Sequence, residues 1–319
     1  MKTPTFWQSN TPVSSALLPL SWLYGAGAKA HQKSAHPVKL SVPVICIGNL
    51  TAGGAGKTPV ALYVGNMLKG KNIRAFFLSR GYGGKLSGPV LVDPQNHTAR
   101  DVGDESMLLA GLLPTVVAKD RKKGAEFAIA QGAAAIVMDD GFQNFSLKKT
   151  LSLLVIDGKY GLGNGLMLPA GPLREAPETA FARADAAIII DGNMALPPDL
   201  PVISAHATLD GVAVCGKKLL AFCGIARPQK FFDALGGAGA SVTDTAAFPD
   251  HYPYKESDLN ALIKKAAHLK ATLATTAKDA VRLPASFKEK ILVIPMELVF
   301  DRPEQLAHLI DSALAHEKN

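Results

Sequence analysis

The chain has 319 residues, which at about 150 residues per domain predicts two domains. Hydrophobic residues make up 48% and charged residues 19%, a balance that supports a sizeable core and excludes a disordered chain. The net charge is +7, and all of the excess lies in the first third, because residues 1–92 carry ten Lys and Arg and no Asp or Glu. This asymmetry predicts an anionic partner: nucleic acid, phosphates or an anionic membrane surface.

An apolar stretch over 13–30 is the first feature along the chain. It is too short, and too interrupted by Pro19, to span a bilayer, which needs about 20 apolar residues. Leu, Trp and Tyr side chains precede three lysines, a pattern typical of a segment that lies on an anionic membrane surface. We therefore predict that 1–40 is an amphipathic, membrane-associating segment. Two other interpretations stay open: a helix packed on its own domain, and a secretory signal peptide with a cleavage site near 26–28.

From Val42 onward, short β-rich runs alternate with helical patterns, which predicts a parallel sheet covered by helices on both faces. We assign this part to a domain over 41–201. The predicted strands are Val44–Gly48, Ala75–Leu78, Pro89–Val92, Thr115–Ala118, Ala135–Asp139, Leu151–Asp157, Ala186–Asp191 and Val202–Ala207. The predicted helices are Thr58–Lys69, Glu105–Leu112 and Gly124–Gln131.

After about Val202 the pattern changes. The segment 202–217 predicts a linking hairpin that turns at Asp210-Gly211. A second α/β series follows over 218–319. Its predicted strands are Leu219–Gly224, Ser241–Thr245, Thr272–Thr276 and Ile291–Pro295, and its predicted helices are Pro228–Leu235, Glu256–Leu269 and Pro303–His316.

A glycine-rich segment between the first predicted strand and the first predicted helix carries the strongest local signal, because strand–loop–helix is the context that a P-loop requires. Glycines let backbone N–H groups surround phosphate oxygens, and the helix N-terminus adds its positive dipole. We expect Lys57 to reach the β- and γ-phosphates and Thr58 to bind Mg²⁺. Thr51 departs from the usual pattern, which has glycine there. The predicted nucleotide-binding residues are Thr51, Ala52, Gly53, Gly54, Ala55, Gly56, Lys57 and Thr58.

A carboxylate at the end of a neighbouring strand completes a P-loop site by holding Mg²⁺ directly or through water. The apolar run 134–138 ends in Asp139 and Asp140, and the sequence leaves open which of the two is the ligand. Guanine-specific P-loop proteins use an [NT]-K-x-D element for the base, and the order of residues in Thr276-Ala-Lys-Asp279 differs from it. We therefore predict ATP as the nucleotide.

Further polar clusters follow the predicted strand ends. With the P-loop, the set is Gly48–Pro59, Ser79–Gly83, Gly103–Glu105, Asp139–Gln143, Gly171–Glu175, Asp250-His251 and Thr276–Asp279. On these motifs the sequence closely resembles the tetraacyldisaccharide 4'-kinase family, the lipid A 4'-kinases of Gram-negative bacteria. The resemblance covers nearly the whole chain, including the N-terminal apolar run. That family also has Thr or Ser where the usual P-loop has its first Gly, and it has Pro where this chain has Ser106.

The resemblance implies an ATP-dependent kinase that phosphorylates the 4'-hydroxyl of a tetraacylated glucosamine disaccharide 1-phosphate, giving lipid IVA. It implies a peripheral enzyme on the cytoplasmic face of the inner membrane. Its expected partners are the acylated disaccharide lipid and the anionic membrane surface, with no nucleic acid. The expected fold is α/β: a P-loop NTPase-type parallel sheet flanked by helices, a second, smaller α/β lobe and a two-stranded linker.

The motif matches also give expected roles. Asp104 is the candidate general base, and His251, supported by Asp250, is expected to orient it across the cleft. Lys57 is expected to neutralise charge on the transferring phosphate. The predicted metal ligands are Thr58, Asp139, Asp140 and Glu175. The candidates for binding phosphate or substrate are Arg80, Tyr82, Gln143, Arg174 and Lys278, with Tyr254 as a second aromatic residue that could stack on a sugar or base.

Two rival functions use the same fold: a P-loop ATPase that acts as a switch, and a kinase or ligase for a soluble small molecule. The N-terminus discriminates between them and a lipid kinase, since a soluble ligase has no need of Trp7, Trp22 and a basic run. ATP turnover that depends on an acylated acceptor separates the lipid kinase from the switch.

Overall fold

The structure is a computed structural model that describes residues 4–315. Two ends of the predicted segments lie outside this range. They are residues 1–3 of the segment 1–40 and residues 316–319 of the segment 218–319, which include the predicted helix end at His316. The strands are β1 (Val44–Gly48), β2 (Ala75–Ser79), β3 (Val90–Leu91), β4 (Thr115–Val117), β5 (Ala135–Asp139), β6 (Leu151–Asp157), β7 (Ala186–Ile190), β8 (Val202–Leu209), β9 (Lys218–Cys223), β10 (Ser241–Ala247), β11 (Thr272–Thr276), β12 (Leu292–Ile294) and β13 (Met296–Phe300). The helices are α1 (Pro12–Ala16), α2 (Leu18–Lys33), α3 (Lys57–Gly70), α4 (Ala99–Val102), α5 (Asp104–Ala110), α6 (Arg121–Ala130), α7 (Pro177–Phe181), α8 (Gly211–Val214), α9 (Pro228–Gly237), α10 (Glu256–His268), α11 (Ala277–Ala280), α12 (Ala285–Lys288) and α13 (Pro303–Ala315).

The larger lobe is built on a nine-stranded sheet in the order β13-β8-β7-β6-β1-β5-β2-β4-β3. Its strands pair in parallel except at the two edges, where β13 and β3 run antiparallel to β8 and β4. Strands β1, β2, β5, β6 and β7 are buried along their whole length, as parallel strands covered on both faces are. The predicted P-loop NTPase-type parallel sheet is confirmed.

Helices cover both faces of this sheet. Alternate residues of a strand point to opposite faces, so Ile45 of β1 joins the core under α3 and α13, while Val44 joins the core under α6. From α3, Val60 and Val64 are fully buried against the sheet. This packing fixes the N-terminus of α3 at the carboxyl end of β1, where the P-loop lies.

The smaller lobe has a four-stranded parallel sheet in the order β10-β9-β11-β12. Phe231 of α9 packs in a core on one face, and Leu259 and Leu262 of α10 pack in a core on the other. The predicted second α/β lobe is therefore confirmed.

The predicted hairpin over 202–217 is wrong. Strand β8 stays in the larger sheet, β9 lies in the smaller sheet, and α8 stands between them. The Asp210 carboxylate accepts hydrogen bonds from the N–H groups of Val212 and Ala213, so Asp210 caps a helix instead of starting a turn. The antiparallel partner of β8 is β13, which the sequence analysis missed. The chain leaves the larger lobe after β8 and returns along β13, and these two strands form the link between the lobes.

The helix predicted at the C-terminus also belongs elsewhere. We expected it in the second lobe, but α13 packs on the larger sheet, where Leu306 and Ile310 are fully buried in the core beneath α3. The larger lobe is therefore built from both ends of the chain. The other predicted domain boundaries stay predictions.

Ion pairs join the lobes near the link. Asp157 is the last residue of β6 and Asp191 follows β7, while Arg227 and Lys230 lie at the N-terminal end of α9. Arg227 Nη1 lies 2.6 Å from Asp157 Oδ2, and Lys230 Nζ lies 2.7 Å from Asp191 Oδ2. The pairs hold α9 against the edge of the larger sheet that carries the P-loop.

Candidate active site

The P-loop connects β1 to α3. The helix begins at Lys57, one residue before the predicted start, and its N-cap Gly56 has a φ of +91°. A side chain at Gly56 would be strained, and its Cβ would lie 2.6 Å from Ile190 Cδ1. The loop therefore leads directly into the N-terminus of a long helix, whose free N–H groups and dipole favour an anionic ligand.

The segment 171–175, which follows β6 in the chain, packs against the P-loop. Ala52 N donates to the Pro172 carbonyl at 2.7 Å, and Thr51 forms a β-bridge with Leu173. From within, Asn49 Nδ2 donates to the Thr51 carbonyl at 2.6 Å. These contacts explain why the motif 171–175 and the P-loop share one site although they lie far apart in sequence.

Asp139 is the last residue of β5 and is almost completely buried. Its Oδ2 accepts a hydrogen bond from Thr58 Oγ1 at 3.1 Å, while its Oδ1 is buried with no hydrogen-bond partner among the described residues. Burial, reinforced by the nearby Glu105 carboxylate and opposed by Lys57, raises the pKa of Asp139 to about 7. A buried, unpartnered carboxylate oxygen beside a threonine hydroxyl is a chemistry that suits Mg²⁺.

Asp140 has cationic partners instead. Its Oδ1 lies 2.8 Å from Arg174 Nη1 and 3.7 Å from Lys57 Nζ. Burial by itself raises the pKa of Asp140, but Lys57 and Arg174 outweigh it and leave the pKa below its ordinary value. The two adjacent aspartates therefore differ: within residues 4–315, Asp139 has no cation in direct contact, and Asp140 is ion-paired.

Glu175 does not join the predicted metal ligands. Its two carboxylate oxygens lie 2.7 and 3.0 Å from the Arg183 guanidinium, and its Oε1 also accepts from Gln143 Nε2 at 2.9 Å. Gln143 in turn donates to the Asn49 carbonyl at 2.9 Å. Within residues 4–315, no group of three or more His, Cys, Asp or Glu side chains could hold a metal ion. Glu175 and Gln143 instead brace the loop beside the P-loop.

Asp104 and His251 meet across the cleft. Asp104 is the first residue of α5 and is 4% exposed, and His251 Nδ1 lies 2.8 Å from its Oδ2. The preceding Gly103 has a φ of +86°, and a Cβ there would lie 2.5 Å from the Tyr82 carbonyl. Burial raises the pKa of Asp104, but the hydrogen bond from His251 and the charges of Lys278, His251 and Arg282 outweigh it and lower that pKa. The structure therefore places His251 in contact with Asp104, as the sequence analysis expected.

The surroundings of His251 orient its ring. Its φ is +58°, and its N–H donates to the Gly224 carbonyl at 3.1 Å. Its Nε2 lies 3.7 Å from Asp250 Oδ2, and the Tyr82 ring centroid lies 5.7 Å from that of His251. The Tyr82 side chain, 69% exposed, is open at the mouth of the cleft.

Sequence reasoning missed a network in the smaller lobe that supports this pair. Asp279 is fully buried and accepts from the Gly224 N–H at 2.8 Å and from the Tyr254 hydroxyl at 2.7 Å. Arg282 pairs with Asp279, donates to the Gly224 carbonyl at 3.0 Å, and places its Nη1 3.7 Å from Asp104 Oδ2. The Tyr254 hydroxyl is therefore hydrogen-bonded within this network, and its ring is not free to stack on a ligand. The signal in the sequence was the motif Thr276–Asp279, which predicted a role for Lys278 but not the contacts of Asp279.

Three more cations lie around the cleft. Lys278 Nζ donates to Glu105 Oε1 at 3.2 Å; burial lowers the pKa of Lys278, but Glu105 and Asp104 outweigh it and raise that pKa. Arg80 is exposed. Arg121, which sequence analysis did not select, is buried, and burial together with the charge of Arg80 lowers its pKa to about 10.

Comparison with known proteins identifies the family. The model of the family Tetraacyldisaccharide-1-P 4'-kinase matches residues 13–315. The chain belongs to this family. Curated relatives named tetraacyldisaccharide 4'-kinase come from Rhodospirillum rubrum, 46% identical over 98% of this chain and 97% of the relative, and from Paramagnetospirillum magneticum, 43% identical over 98% of each.

A solved structure agrees with this membership. The crystal structure of LpxK from Aquifex aeolicus in complex with ATP has a TM-score of 0.77 and 28% identity to this chain, and the match covers 95% of this chain and 99% of that one. The resemblance on the motifs is therefore confirmed, and the chain is a kinase of the tetraacyldisaccharide 4'-kinase family, which acts in lipid A biosynthesis. The switch ATPase and the soluble kinase or ligase are set aside.

The family membership leaves the roles of individual residues as predictions. The larger lobe brings Lys57, Thr58, Asp139 and Asp140 together, and the smaller lobe adds His251 beside Asp104. In the part of the chain that the structure describes, no helix is both long and apolar enough to cross a membrane.

Proposed function

We propose that the cleft between the lobes transfers the γ-phosphoryl group of ATP to the 4'-hydroxyl of a tetraacylated glucosamine disaccharide 1-phosphate, producing lipid IVA. The 2.8 Å contact between His251 Nδ1 and Asp104 Oδ2 carries this proposal, because it joins one residue of each lobe at a buried carboxylate. Helices α3 and α5, which begin at Lys57 and Asp104, pack in the same core on one face of the larger sheet, so the carboxylate and the P-loop share one side of the lobe. The charge of Glu105, next to Asp104, also raises the pKa of Asp139.

On the nucleotide side, the N-terminus of α3 and Lys57 would bind the β- and γ-phosphates. Bound Mg²⁺ would supply charge neutralisation on those phosphates. Asp139, with its unpartnered buried Oδ1, and Thr58 are the residues placed to hold it. Asp140 keeps Lys57 and Arg174 at the edge of the loop through its ion pairs.

On the acceptor side, a sugar hydroxyl is a poor nucleophile at neutral pH, so a carboxylate that accepts its proton accelerates attack. Asp104 stays ionised because its pKa is lowered, and His251 orients its Oδ2. Tyr82 is exposed at the cleft mouth, where its ring could contact a sugar. The candidates for binding anionic groups of the substrates are Arg80, Arg121, Arg174 and Lys278.

An assay of ATP turnover tests the reaction. We expect ADP release to depend on tetraacyldisaccharide 1-phosphate dispersed in neutral detergent, and the product to carry the new phosphate at the 4' position. The same disaccharide without acyl chains serves as the control for a soluble acceptor. Hydrolysis of ATP at one rate with and without the acylated acceptor would instead identify a switch.

A lipid acceptor requires contact with a membrane, and α2 supplies a surface for it. Its inner stripe packs on the larger lobe, where Ser21 is buried and donates to the Met167 carbonyl at 2.8 Å. Its outer side exposes Trp22 and Leu23, with exposed fractions of 67% and 71%. We propose that this side lies in the interface of an anionic leaflet, which makes the enzyme peripheral on the cytoplasmic face of the inner membrane.

Replacing Leu20 and Leu23 with serine tests this surface. We expect binding to phosphatidylcholine vesicles to weaken by about tenfold or more, because each buried leucine contributes about 1.5–3 kcal/mol. Both side chains are more than half exposed, so the melting temperature should stay within a few degrees of the parent. Val212→Ser is the matched control, since Val212 is 92% exposed on the smaller lobe. Equal vesicle binding of parent and double variant, measured by flotation and by intrinsic tryptophan fluorescence, would exclude the anchor.

A further inference from the structure

A surface cavity of about 410 Å³ lies between the C-terminal end of α2 and the loop that follows β5. Phe142 and Phe145 form apolar walls. The ionisable side chains of the lining are Lys148, Lys149 and Arg183, and all three are cationic. No P-loop residue lines it and neither does Asp104, so the cavity is distinct from the proposed reaction centre.

The two aromatic rings hold two cations at one wall. Lys149 Nζ donates to the Phe142 carbonyl at 2.8 Å and lies 5.5 and 5.7 Å from the ring centroids of Phe142 and Phe145. The Arg183 guanidinium lies 4.8 and 5.0 Å from the same centroids, and Glu175 neutralises it. Lys149 has no carboxylate within 4.0 Å among residues 4–315. Burial, together with the charge of Arg183, lowers the pKa of Lys149 against the opposing effects of Cys46 and Glu175. A cation held by rings and a carbonyl, with no carboxylate of residues 4–315 in direct contact, is stabilised by an added anion.

The charge balance around the cavity is positive. In the described part of the chain, two carboxylates contact its lining: Glu175, paired with Arg183, and Asp185, whose Oδ2 accepts from the Ser152 N–H at 2.7 Å. They leave one positive charge uncompensated. The exposed Lys29 and Lys33 on the last turns of α2 add to it.

The position of the cavity connects it to α2 and separates it from the phosphate loop. Gln32, on the last turn of α2, lines it directly. A chain of side chains in contact runs from the P-loop to its far wall: Lys57, Asp140, Arg174, Gln143, Glu175 and Arg183. The cavity therefore opens at the C-terminal end of α2, beyond the far end of that chain.

We propose that this cavity binds the phosphate group of an acylated lipid, with the phosphate against Lys148 and Lys149 and the adjoining carbon atoms against Phe145. The inference rests on the proposed membrane association. Two sources carry this chemistry: a phospholipid of the bilayer, and the 1-phosphate of the acceptor. We expect the bilayer phospholipid, since the cavity lies at the membrane-facing helix and is separated from Lys57 by the contact chain. The site would set the rotation of the enzyme on the leaflet, with α2 as the second contact.

The double variant Lys148→Gln/Lys149→Gln tests the cavity, and Lys122→Gln/Lys123→Gln is its matched control. Both remove two adjacent lysines, and Lys122 and Lys123 are exposed on α6. We expect the cavity variant to bind phosphatidylglycerol vesicles about 10- to 30-fold more weakly, since each basic side chain near an anionic surface contributes several-fold to binding. Binding to phosphatidylcholine vesicles should not change, and the control should keep most of its affinity.

The source of the phosphate is read from the KM for the acceptor in neutral detergent. An unchanged KM with weaker vesicle binding identifies the bilayer phospholipid, and a several-fold higher KM identifies the acceptor's own phosphate in the same cavity. Equal losses in the cavity and control pairs, or no loss in either measurement, would overturn the site. Because Lys149 is half-buried, Lys148→Gln alone, at an exposed position, repeats the test without a folding risk. If the α2 anchor proposal is wrong, the Leu20 and Leu23 variant will bind phosphatidylcholine vesicles as the parent does. If the proposed reaction is wrong, ATP turnover will not depend on the acceptor. Both outcomes are therefore distinguishable from a failure of the cavity proposal.

Discussion

Replacing Lys57 with alanine is expected to lower kcat by about two to four orders of magnitude. The loss corresponds to roughly 3–5 kcal/mol of charge stabilisation on the transferring phosphate. Lys57 is suited to that role because it begins α3 and its side chain is only 11% exposed. Initial rates at saturating ATP and Mg²⁺, with the acceptor dispersed in detergent, measure the effect.

The fold should tolerate this change, because Asp140 keeps Arg174 at 2.8 Å when Lys57 is removed. The control is Lys69→Ala, an exposed lysine in the last turn of the same helix, for which we expect parental kcat. A Lys57→Ala enzyme with nearly parental turnover would remove the P-loop from the mechanism.

The local structure around the site that the sequence predicted correctly is made by short contiguous segments. The P-loop conformation depends on glycines such as Gly56 and on the strand and helix that flank it, and all of these are local. Asp139 follows a continuously apolar run, which predicts a buried strand with a polar end at the sheet edge. The Asp104–His251 contact spans 147 residues and was expected only through the family resemblance.

The errors in the fold concern partners that are distant in sequence. An Asp-Gly pair between two β-rich runs is compatible with a hairpin or with a helix N-cap, and local pattern does not choose between them. Strand β13 pairs with β8, from which it is separated by the whole smaller lobe. The amphipathic pattern of α13 predicts a helix but does not say which sheet it covers, and its burial on the larger lobe depends on that β13 return.

The errors in the site have a cause similar to those in the fold: the local pattern does not show which side chains these residues contact. Glu175 was expected to bind metal because it is the last residue of the motif Gly171–Glu175, but Arg183 occupies its carboxylate. Arg282 gave no signal in the sequence, and Asp279 appeared only as the last residue of a motif, since their significance comes from contacts with Gly224, 58 and 55 residues away. Side-chain pairing between loops requires the tertiary structure.

A double-mutant cycle tests the proposed roles of Asp104 and His251. It consists of Asp104→Ala, His251→Ala and the double variant. We expect each single change to lower kcat far more than it changes the KM for ATP, because both groups act mainly in the transition state. His251 orients Asp104 through one hydrogen bond, so the double variant should be little slower than the slower single one. His268→Ala is the control, since His268 is exposed on α10 of the same lobe. Losses that multiply would show that the two residues act independently.

The pH dependence of kcat provides a second measurement of how His251 acts on Asp104. The Asp104 base must be ionised, so activity falls as the pH drops through its pKa. In the parent enzyme the hydrogen bond and charge of His251, with Lys278 and Arg282, hold that pKa below its ordinary value against the effect of burial. Removing His251 leaves burial opposed only by the two remaining cations, so the pKa of Asp104 rises and the acid limb moves to higher pH. Residual activity of His251→Ala with an acid limb at the parental pH would show that His251 does not act through Asp104.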